Sequence, residues 1–271
     1  MTSTVPNVLQ KIADSVSLRL QERKKIVSFE EMTKKALVAR KPHDFAGAFR
    51  LPQPLTKTIA EIKFTSPALG KLDEGDVNRA LLIAKNYLDG GTTAISVLTE
   101  ADHFQGSLDY LRAIRLFHAE ALLLMKDFVL DEYQILEARV HGADCILLIV
   151  ALLGQARTET LQKFALAQGL SVLVEVHDET ELAEAMAIRA PLIGINNRNL
   201  KTLAVSLETS FRLIQNLKNH PPLISESGIQ TATELKKLTE AGFAGFLIGS
   251  SLMREANPGA TLAKLLKEAN S

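Results

Sequence analysis

Nearly every apolar, strand-like run of this 271-residue chain stops on a polar side chain, and the pattern recurs along its length. Ile59-Ala60-Glu61-Ile62-Lys63, Leu122-Leu123-Leu124-Met125-Lys126 and Val172-Leu173-Val174-Glu175 show it. Ile193-Gly194-Ile195-Asn196-Asn197-Arg198, Leu223-Ile224-Ser225-Glu226-Ser227 and Phe246-Leu247-Ile248-Gly249-Ser250 repeat it. Runs that are apolar throughout suit strands covered on both faces, and their strict alternation with longer amphipathic segments argues for parallel βαβ units. Strands are predicted near 58–63, 93–98, 121–126, 144–149, 171–176, 192–196, 222–225 and 244–248, each followed by a helical pattern, the last near 259–269. About eight such units match a closed barrel better than an open doubly wound sheet. The predicted fold class is therefore α/β, a single (β/α)8 TIM barrel.

The polar endings then acquire a meaning. A charge at the tip of a core strand costs several kcal/mol unless it is paired or meets a ligand. Half a dozen polar tips at the same end of successive strands describe a ring of functional groups around one mouth, the place of the active site in such barrels.

Local signals agree with these boundaries. Asp178 with Glu181, and Thr231 with Glu234, have capping-box spacing after the fifth and seventh strands. Gly142, Gly169 and Gly242 fall at helix-to-strand returns, where a left-handed cap is expected. Ahead of the barrel, Val8, Ile12, Val16 and Leu20 are spaced for one buried helix face, with Arg19, Glu22, Arg23, Lys24 and Lys25 on the solvated side. A second helix is predicted near 29–40, then an extended link carrying Pro42, Pro52 and Pro54. Residues 1–56 thus read as a helical extension packed on a barrel of residues 57–271, being too small to bury a core of their own.

Composition excludes several classes of function. Lysine plus arginine equals aspartate plus glutamate at 31 each, so no global attraction to nucleic acid or to anionic lipid is expected. No apolar run approaches the ~18 residues of a membrane span. The single Cys145, inside an apolar run, rules out an internal disulfide framework and suits a reduced compartment. Six scattered histidines lack metal-ligand spacing, so no metal site is expected. The first thirty residues show neither a signal core nor a transit-peptide composition. The expectation is a cytoplasmic protein.

Glu61 and Lys63 are two apart on one strand and point the same way, inward in a barrel. They form either a buried ion pair closing the floor or a layer of the barrel, or part of a site. Lys126 adds a second inward lysine that needs its own anion. Glu175 and Glu226 are either its partners or acid/base groups, since facing charges shift one another's pKa values. Asn196 and Arg198 share a face of the sixth strand; they either orient a hydroxyl and clamp an anion, or belong to a polar turn. Gly228, with Gly249, Ser250 and Ser251, suggests a phosphate cradle after strands seven and eight. No GxxxxGK[ST] or GxGxxG follows a strand, so ATP and dinucleotides are not expected.

These residues sit in blocks that resemble the indole-3-glycerol-phosphate synthase family of tryptophan biosynthesis, from the N-terminal helix to the last. The blocks are Ile59–Pro67 (IAEIKFTSP), Ser96–Arg115 (SVLTEADHFQGSLDYLRAIR), Lys126–Ala138 (KDFVLDEYQILEA), Leu173–Asp178 (LVEVHD), Gly194–Lys201 (GINNRNLK), Ser225–Ile229 (SESGI) and Leu247–Met253 (LIGSSLM). The resemblance implies a (β/α)8 barrel with extra N-terminal helices. It also implies conversion of 1-(2-carboxyphenylamino)-1-deoxyribulose 5-phosphate to indole-3-glycerol phosphate, with loss of carbon dioxide and water and no cofactor. By that likeness Lys126 is the general acid that assists ring attack on the substrate carbonyl. Glu175 is an acid/base partner in the dehydration, and Glu61 and Lys63 share in the proton traffic. Ser66, Asn196, Arg198, Glu226 and Ser227 position the substrate, and Gly228, Gly249 and Ser250 hold its phosphate. The partner expected is one small phosphorylated substrate, with no nucleic acid and no membrane, and the protein a monomer or weak homodimer.

One departure concerns the first β/α loop, the natural lid. The family usually carries basic residues where this chain has Phe64 and Leu69, so a weaker hold on an anionic substrate is expected. Two other classes of function stay open at this level. One is a Schiff-base aldolase or isomerase using Lys63 or Lys126; the other is a non-catalytic barrel paralogue that binds a related phosphorylated ligand.

Overall fold

The computed structural model describes residues 7–50, 56–215 and 217–271. Two helices, α1 (Asn7–Ile26) and α2 (Phe29–Val38), precede eight strands. These are β1 (Thr58–Ile62), β2 (Ala94–Leu98), β3 (Leu123–Lys126), β4 (Cys145–Ile149), β5 (Ser171–Val176), β6 (Leu192–Asn196), β7 (Leu223–Glu226) and β8 (Gly245–Ile248). Each pairs in parallel with the next, and β8 returns to β1 through Thr58↔Phe246, Ile59↔Leu247 and Ala60↔Ile248, closing a barrel. The interleaved helices are α3 (Val77–Asp89), α4 (Leu108–Phe117), α5 (Glu132–Val140), α6 (Val150–Ala167), α7 (Glu179–Ala187), α8 (Glu208–Ile214), α9 (Ala232–Glu240), the short α10 (Ser250–Met253) and α11 (Pro258–Ala269). The architecture is a (β/α)8 barrel with N-terminal helices, as the alternation predicts.

Period-two alternation divides every strand between two cores. Ile59, Ala94, Leu124, Leu147, Leu173, Leu192, Ile224 and Leu247 fill the barrel. Their neighbours, among them Ala60, Ile62, Ile95, Val97, Met125 and Val174, face the helices. The floor is aromatic: Phe45 and Phe49 pack with ring centroids 5.5 Å apart. A Cβ on Gly245 would stand 2.6 Å from the Phe49 ring, so that strand position has to be glycine. The Glu61–Lys63 pair therefore does not close the floor, one of the two roles open to it in the sequence; it stands at the opposite end.

The caps form largely as predicted. Thr231 and Glu234 make a complete capping box, and Asp178 accepts from the Glu181 N–H. The Glu181 carboxylate, however, turns back to the backbone N–H of His177 rather than to Asp178. Gly142, Gly169 and Gly242 adopt φ of +88°, +79° and +107° at the helix-to-strand returns.

The N-terminal segment departs in detail. The buried stripe of α1 is Leu9, Ile12, Ala13, Val16 and Leu20, whereas Val8 is 37% exposed. Ile12, Val16 and Leu20 are buried as the spacing predicts, and only Val8 gives way, to Leu9 three residues before Ile12. Three cations expected on its solvated side pair with the barrel: Arg19 with Asp102, Arg23 with Glu137 and Lys24 with Asp131. On the floor side, fully buried Asp144 accepts from Arg40 (2.8 Å), Arg115 (2.5 Å) and the backbone of His43 and Leu123, tying the segment after α2 to β3 and β4. Helix α2 ends at Val38, two residues short of the sequence expectation. Pro42 lies in a non-helical stretch as expected, while Pro52 and Pro54 lie outside the described residues. Among the described residues no helix is long and apolar enough to cross a membrane.

Candidate active site

The interior alternation ends at the mouth in charge. Glu61, Lys126, Glu175 and Glu226 occupy the inward positions next after Ile59, Leu124, Leu173 and Ile224, as the period of two requires. Lys126 Nζ lies 3.7 Å from Glu61 Oε2, 3.7 Å from Glu175 Oε2 and 3.6 Å from Glu226 Oε2. Three strands thus aim buried carboxylates at one amine. Lys63 binds the other oxygen of Glu61, Nζ to Oε1, at 2.7 Å.

The electrostatics follow from that crowding. Burial pushes the Lys126 amine down, but Glu226, Glu61 and Glu175 outweigh it and hold the proton on more firmly than usual. Burial also pushes the Glu175 carboxyl up, and there Lys126 and then His177 prevail, holding it at about 2. Glu61 stays below its ordinary value because Lys63 and Lys126 overcome its burial. Glu226 goes the other way: burial, reinforced by Glu175 and Glu61 against Lys126, lifts it to about 8. Of the three carboxyls, Glu226 is thus the one that takes up a proton most readily. Among the described residues neither of its oxygens has a hydrogen-bond partner, so its hydrogen-bonding capacity faces the cavity unused.

Glycine makes this packing possible at two positions. A Cβ on Gly194 of β6 would meet Glu226 Oε1 at 2.0 Å, and one on Gly249 would meet Glu61 Oε1 at 2.7 Å. The glycine in β6 is therefore the space that lets a carboxylate from β7 lie across the barrel.

The mouth opens into a cavity of about 580 Å³. Glu61, Lys63, Lys126, Glu175, Asn196, Arg198, Glu226, Ser227, Gly228, Gly249 and Ser250 all line it. Ser66 does not: it sits in a small hairpin, Thr65–Ser66 against Gly70–Lys71, where its hydroxyl accepts from the Leu69 N–H. Arg198 donates one N–H to the Leu203 carbonyl, which fixes the side chain while leaving other donors of its fork. Asn197, next in the polar run, turns away and braces the barrel through Ser225, Ser227 and Ser210. Ser227 and Gly228 are both left-handed, φ 66° and 88°, and the Ser251 hydroxyl donates to the Ile229 carbonyl, joining the loops after β7 and β8. With α10 starting at Ser250, this end presents backbone N–H groups suited to an anion.

The opposite wall is apolar. Phe104 and Phe128, with centroids 5.8 Å apart, join Leu98, Leu147 and Leu200 around the cavity. The two lid departures have different fates. Phe64 is buried, edge-on to Tyr110 at 5.5 Å, and covers Gly75; Leu69 lines the cavity.

Sequence reasoning missed Asp127, whose carboxyl burial raises to about 6 while it accepts from Thr99 Oγ1 at 2.5 Å. It also missed His177, between Glu175 and Glu181. The period of two from Glu175 carried a signal for His177; for Asp127, on the alternate position, it carried none.

The family model for indole-3-glycerol phosphate synthase matches residues 9–265. The indole-3-glycerol phosphate synthase of Laribacter hongkongensis is 42% identical over 262 residues, covering 96% of this chain and 98% of that protein. The one from Polaromonas naphthalenivorans is 45% identical over 227 residues, covering 83% and 85%. Among solved structures, 3-hexulose-6-phosphate synthase from Salmonella typhimurium superposes with a TM-score of 0.62 at 12% identity, over 79% of this chain and all of that one, a likeness of fold. With a match over nearly its whole length and relatives this similar, the chain belongs to the indole-3-glycerol phosphate synthase family.

Proposed function

We propose that the protein is an indole-3-glycerol-phosphate synthase, a decarboxylating lyase, and that it closes the indole ring by acid/base catalysis from its own side chains. The substrate is 1-(2-carboxyphenylamino)-1-deoxyribulose 5-phosphate. The observation that carries the assignment is the placement of Lys126 within 3.6–3.7 Å of three carboxylates, in a cavity with an apolar wall at one side and an anion cradle at the other.

The geometry suits the chemistry in sequence. The planar ring packs on the Phe104–Phe128 wall, and the phosphate takes the Gly228, Gly249 and Ser250 backbone, with Arg198 adding positive charge. Anchoring both ends brings the ring carbon that bears the carboxylate against the ketone carbon, and remote binding energy is used at the reacting centre. As the carbon–carbon bond forms, the ketone oxygen becomes an alkoxide and Lys126 donates a proton to it. Carbon dioxide leaves and the benzene ring regains its aromaticity. The new hydroxyl then departs as water while the adjacent carbon loses a proton, with Glu175 as acid/base partner. Glu61 and Lys63 return protons to this centre, and Glu226 with Asn196 and Ser227 orients the sugar hydroxyls. Ser66 acts through the hairpin it braces.

The same reading makes residues 57–271 the catalytic unit and 1–56 its packed extension, in a cytoplasmic monomer or weak homodimer. The direct test is the growth of indole fluorescence from the carboxyphenylamino-deoxyribulose phosphate, beside Glu175→Gln. Turnover by the wild type with a loss of about 10²-fold or more in the variant supports the reading. Binding without turnover favours a non-catalytic paralogue, and a borohydride-trapped adduct on Lys63 or Lys126 favours Schiff-base chemistry.

A further inference from the structure

A second layer of polar groups stands behind Glu175. His177 lies two residues on, just past the end of β5, so it points to the same side of the barrel wall. Its Nε2 is 3.3 Å from Glu175 Oε1, the carboxylate oxygen turned away from Lys126. Its Nδ1 is 3.0 Å from Glu181 Oε2, and that oxygen also accepts the His177 backbone N–H at 2.8 Å. Glu181 is fixed in turn, because Asp178 caps its N–H at the start of α7. The order Glu181, His177, Glu175, Lys126 therefore runs inward from the first turn of α7 to the amine at the barrel centre.

We propose that His177 is a positioning residue for Glu175: an imidazolium clamped between Glu181 and Glu175 that supplies the inner carboxylate's counter-charge and fixes the direction it faces. The inference rests on the acid/base role of Glu175 in the proposed function. Both ring nitrogens face carboxylate oxygens, and a neutral ring would set a lone pair against one of them, so two N–H donors match the site. The Nε2 contact lies outside hydrogen-bond alignment. It is an ionic contact that leaves the Glu175 carboxylate free to accept a proton. The charged groups around the imidazole are Glu175 and Glu181, with Lys126 on β3, Glu61 on β1 and Glu226 on β7 beyond Glu175. Burial pushes the imidazole down, but Glu175 and Glu181 outweigh it and hold it at about 10, so the clamp stays charged through neutral pH. Glu175, next to two cations, is then ready to take a proton only when the reaction displaces charge around it.

Three variants test this: His177→Gln, Glu181→Gln and the double variant. Gln at 177 retains a neutral donor near the Nε2 position, and Gln at 181 retains the acceptor for the backbone N–H, so each removes charge with little change of shape. Melting curves confirm that each is folded. Imidazole nitrogen NMR on the free wild type is expected to show His177 doubly protonated at pH 8. His177→Gln is expected to lower kcat roughly tenfold to 10²-fold at little cost in KM, and to move the acid limb of the kcat profile up by about 1–3 pH units. Glu181→Gln is expected to add an alkaline fall in kcat as His177 loses its proton, and that fall should be absent from the double variant. A neutral imidazole at pH 8, a His177→Gln profile that superimposes on the wild type, or a loss confined to KM would each overturn the proposal. A wild type without turnover, by contrast, sinks the synthase reading itself. The NMR arm needs no turnover and still decides whether the clamp is charged.

Discussion

The barrel's charged mouth depends on one missing side chain, and Gly194→Ala puts it back. The added Cβ would lie 2.0 Å from Glu226 Oε1 and 3.3 Å from Leu173 Cδ1. Ordinary contact begins at 3.4 Å, so the carboxylate has to retreat by about 1.4 Å (3.4 less 2.0). The oxygen ends a flexible side chain that lines the cavity, so it can retreat, but only by leaving its place beside Lys126, which lies 3.6 Å from its other oxygen. Misplacing a positioning group by about 1 Å costs on the order of 10²-fold in rate, and overpacking a tight core costs about 1–3 kcal/mol. We therefore expect kcat to fall about 10²-fold and the melting temperature by several degrees. The assay is indole fluorescence at saturating substrate beside a thermal melt. Glu226→Ala removes the clashing oxygens, so adding Gly194→Ala to it should cost clearly less stability than adding it to the wild type. Wild-type kcat and melting temperature in Gly194→Ala would refute the placement of Glu226 across β6. Additive losses in the double variant would show that the clash is with something else.

Two further outcomes follow from the same packing. Lys126→Met leaves three facing carboxylates without their shared cation, a loss of about 3–5 kcal/mol at pH 8. The sign is fixed by protons. Glu175 and Glu61, held low by the amine, add stability above their ordinary value of 4.5 that is lost as pH falls through their folded values, whereas Glu226, lifted to about 8, loses stability as pH rises from 4.5 through 8. Without the cation all three shift upward, so the gap to wild type in urea unfolding should widen from pH 4.5 to 8; a constant gap would contradict the shared-cation account. Phe64→Ala removes a ring that is 1% exposed and packed on Tyr110 and Gly75 beside the loop carrying Lys63 and Leu69. It should cost about 3–5 kcal/mol in unfolding free energy and raise KM, and a melting temperature within a degree of wild type would contradict the anchoring role.

Most of the architecture is legible in the chain because a barrel strand has to be apolar on both faces. The runs beginning at Thr58, Ala94 and Ser171 could therefore be placed within one residue of their observed starts. The same period separates the inward Glu61, Glu175 and Glu226 from neighbours that face the helices, so the centre of the site can be read without coordinates. What escaped depends on partners far along the chain. Arg19 and Arg23 look like a solvated face until Asp102 and Glu137 are brought beside them from 83 and 114 residues away. Ser66 shares a motif with Lys63, yet the hairpin turns its hydroxyl to Leu69, a local choice that no periodicity records. Glu181 reads as a helix cap, which in part it is; that its carboxylate also holds His177 follows from where α7 meets the end of β5.

The fates of Phe64 and Leu69 bear on the lid. Phe64 joins the core between β1 and α4 and takes no part in binding charge, while Leu69 adds an apolar surface to the cavity wall. Cations remain around the cavity in Lys63, Arg198 and, at its rim, Arg254. Attraction of an anionic substrate thus falls to groups outside the tip of the first loop.

Lys126, kept protonated by the carboxylates around it, is the proposed acid of ring closure. Single-turnover fluorescence with excess enzyme, wild type against Lys126→Met, tests it most directly. Indole formation by the wild type is expected, with a first-order rate at least ~10²-fold lower in the variant and substrate still bound. Equal rates in the two proteins would contradict it.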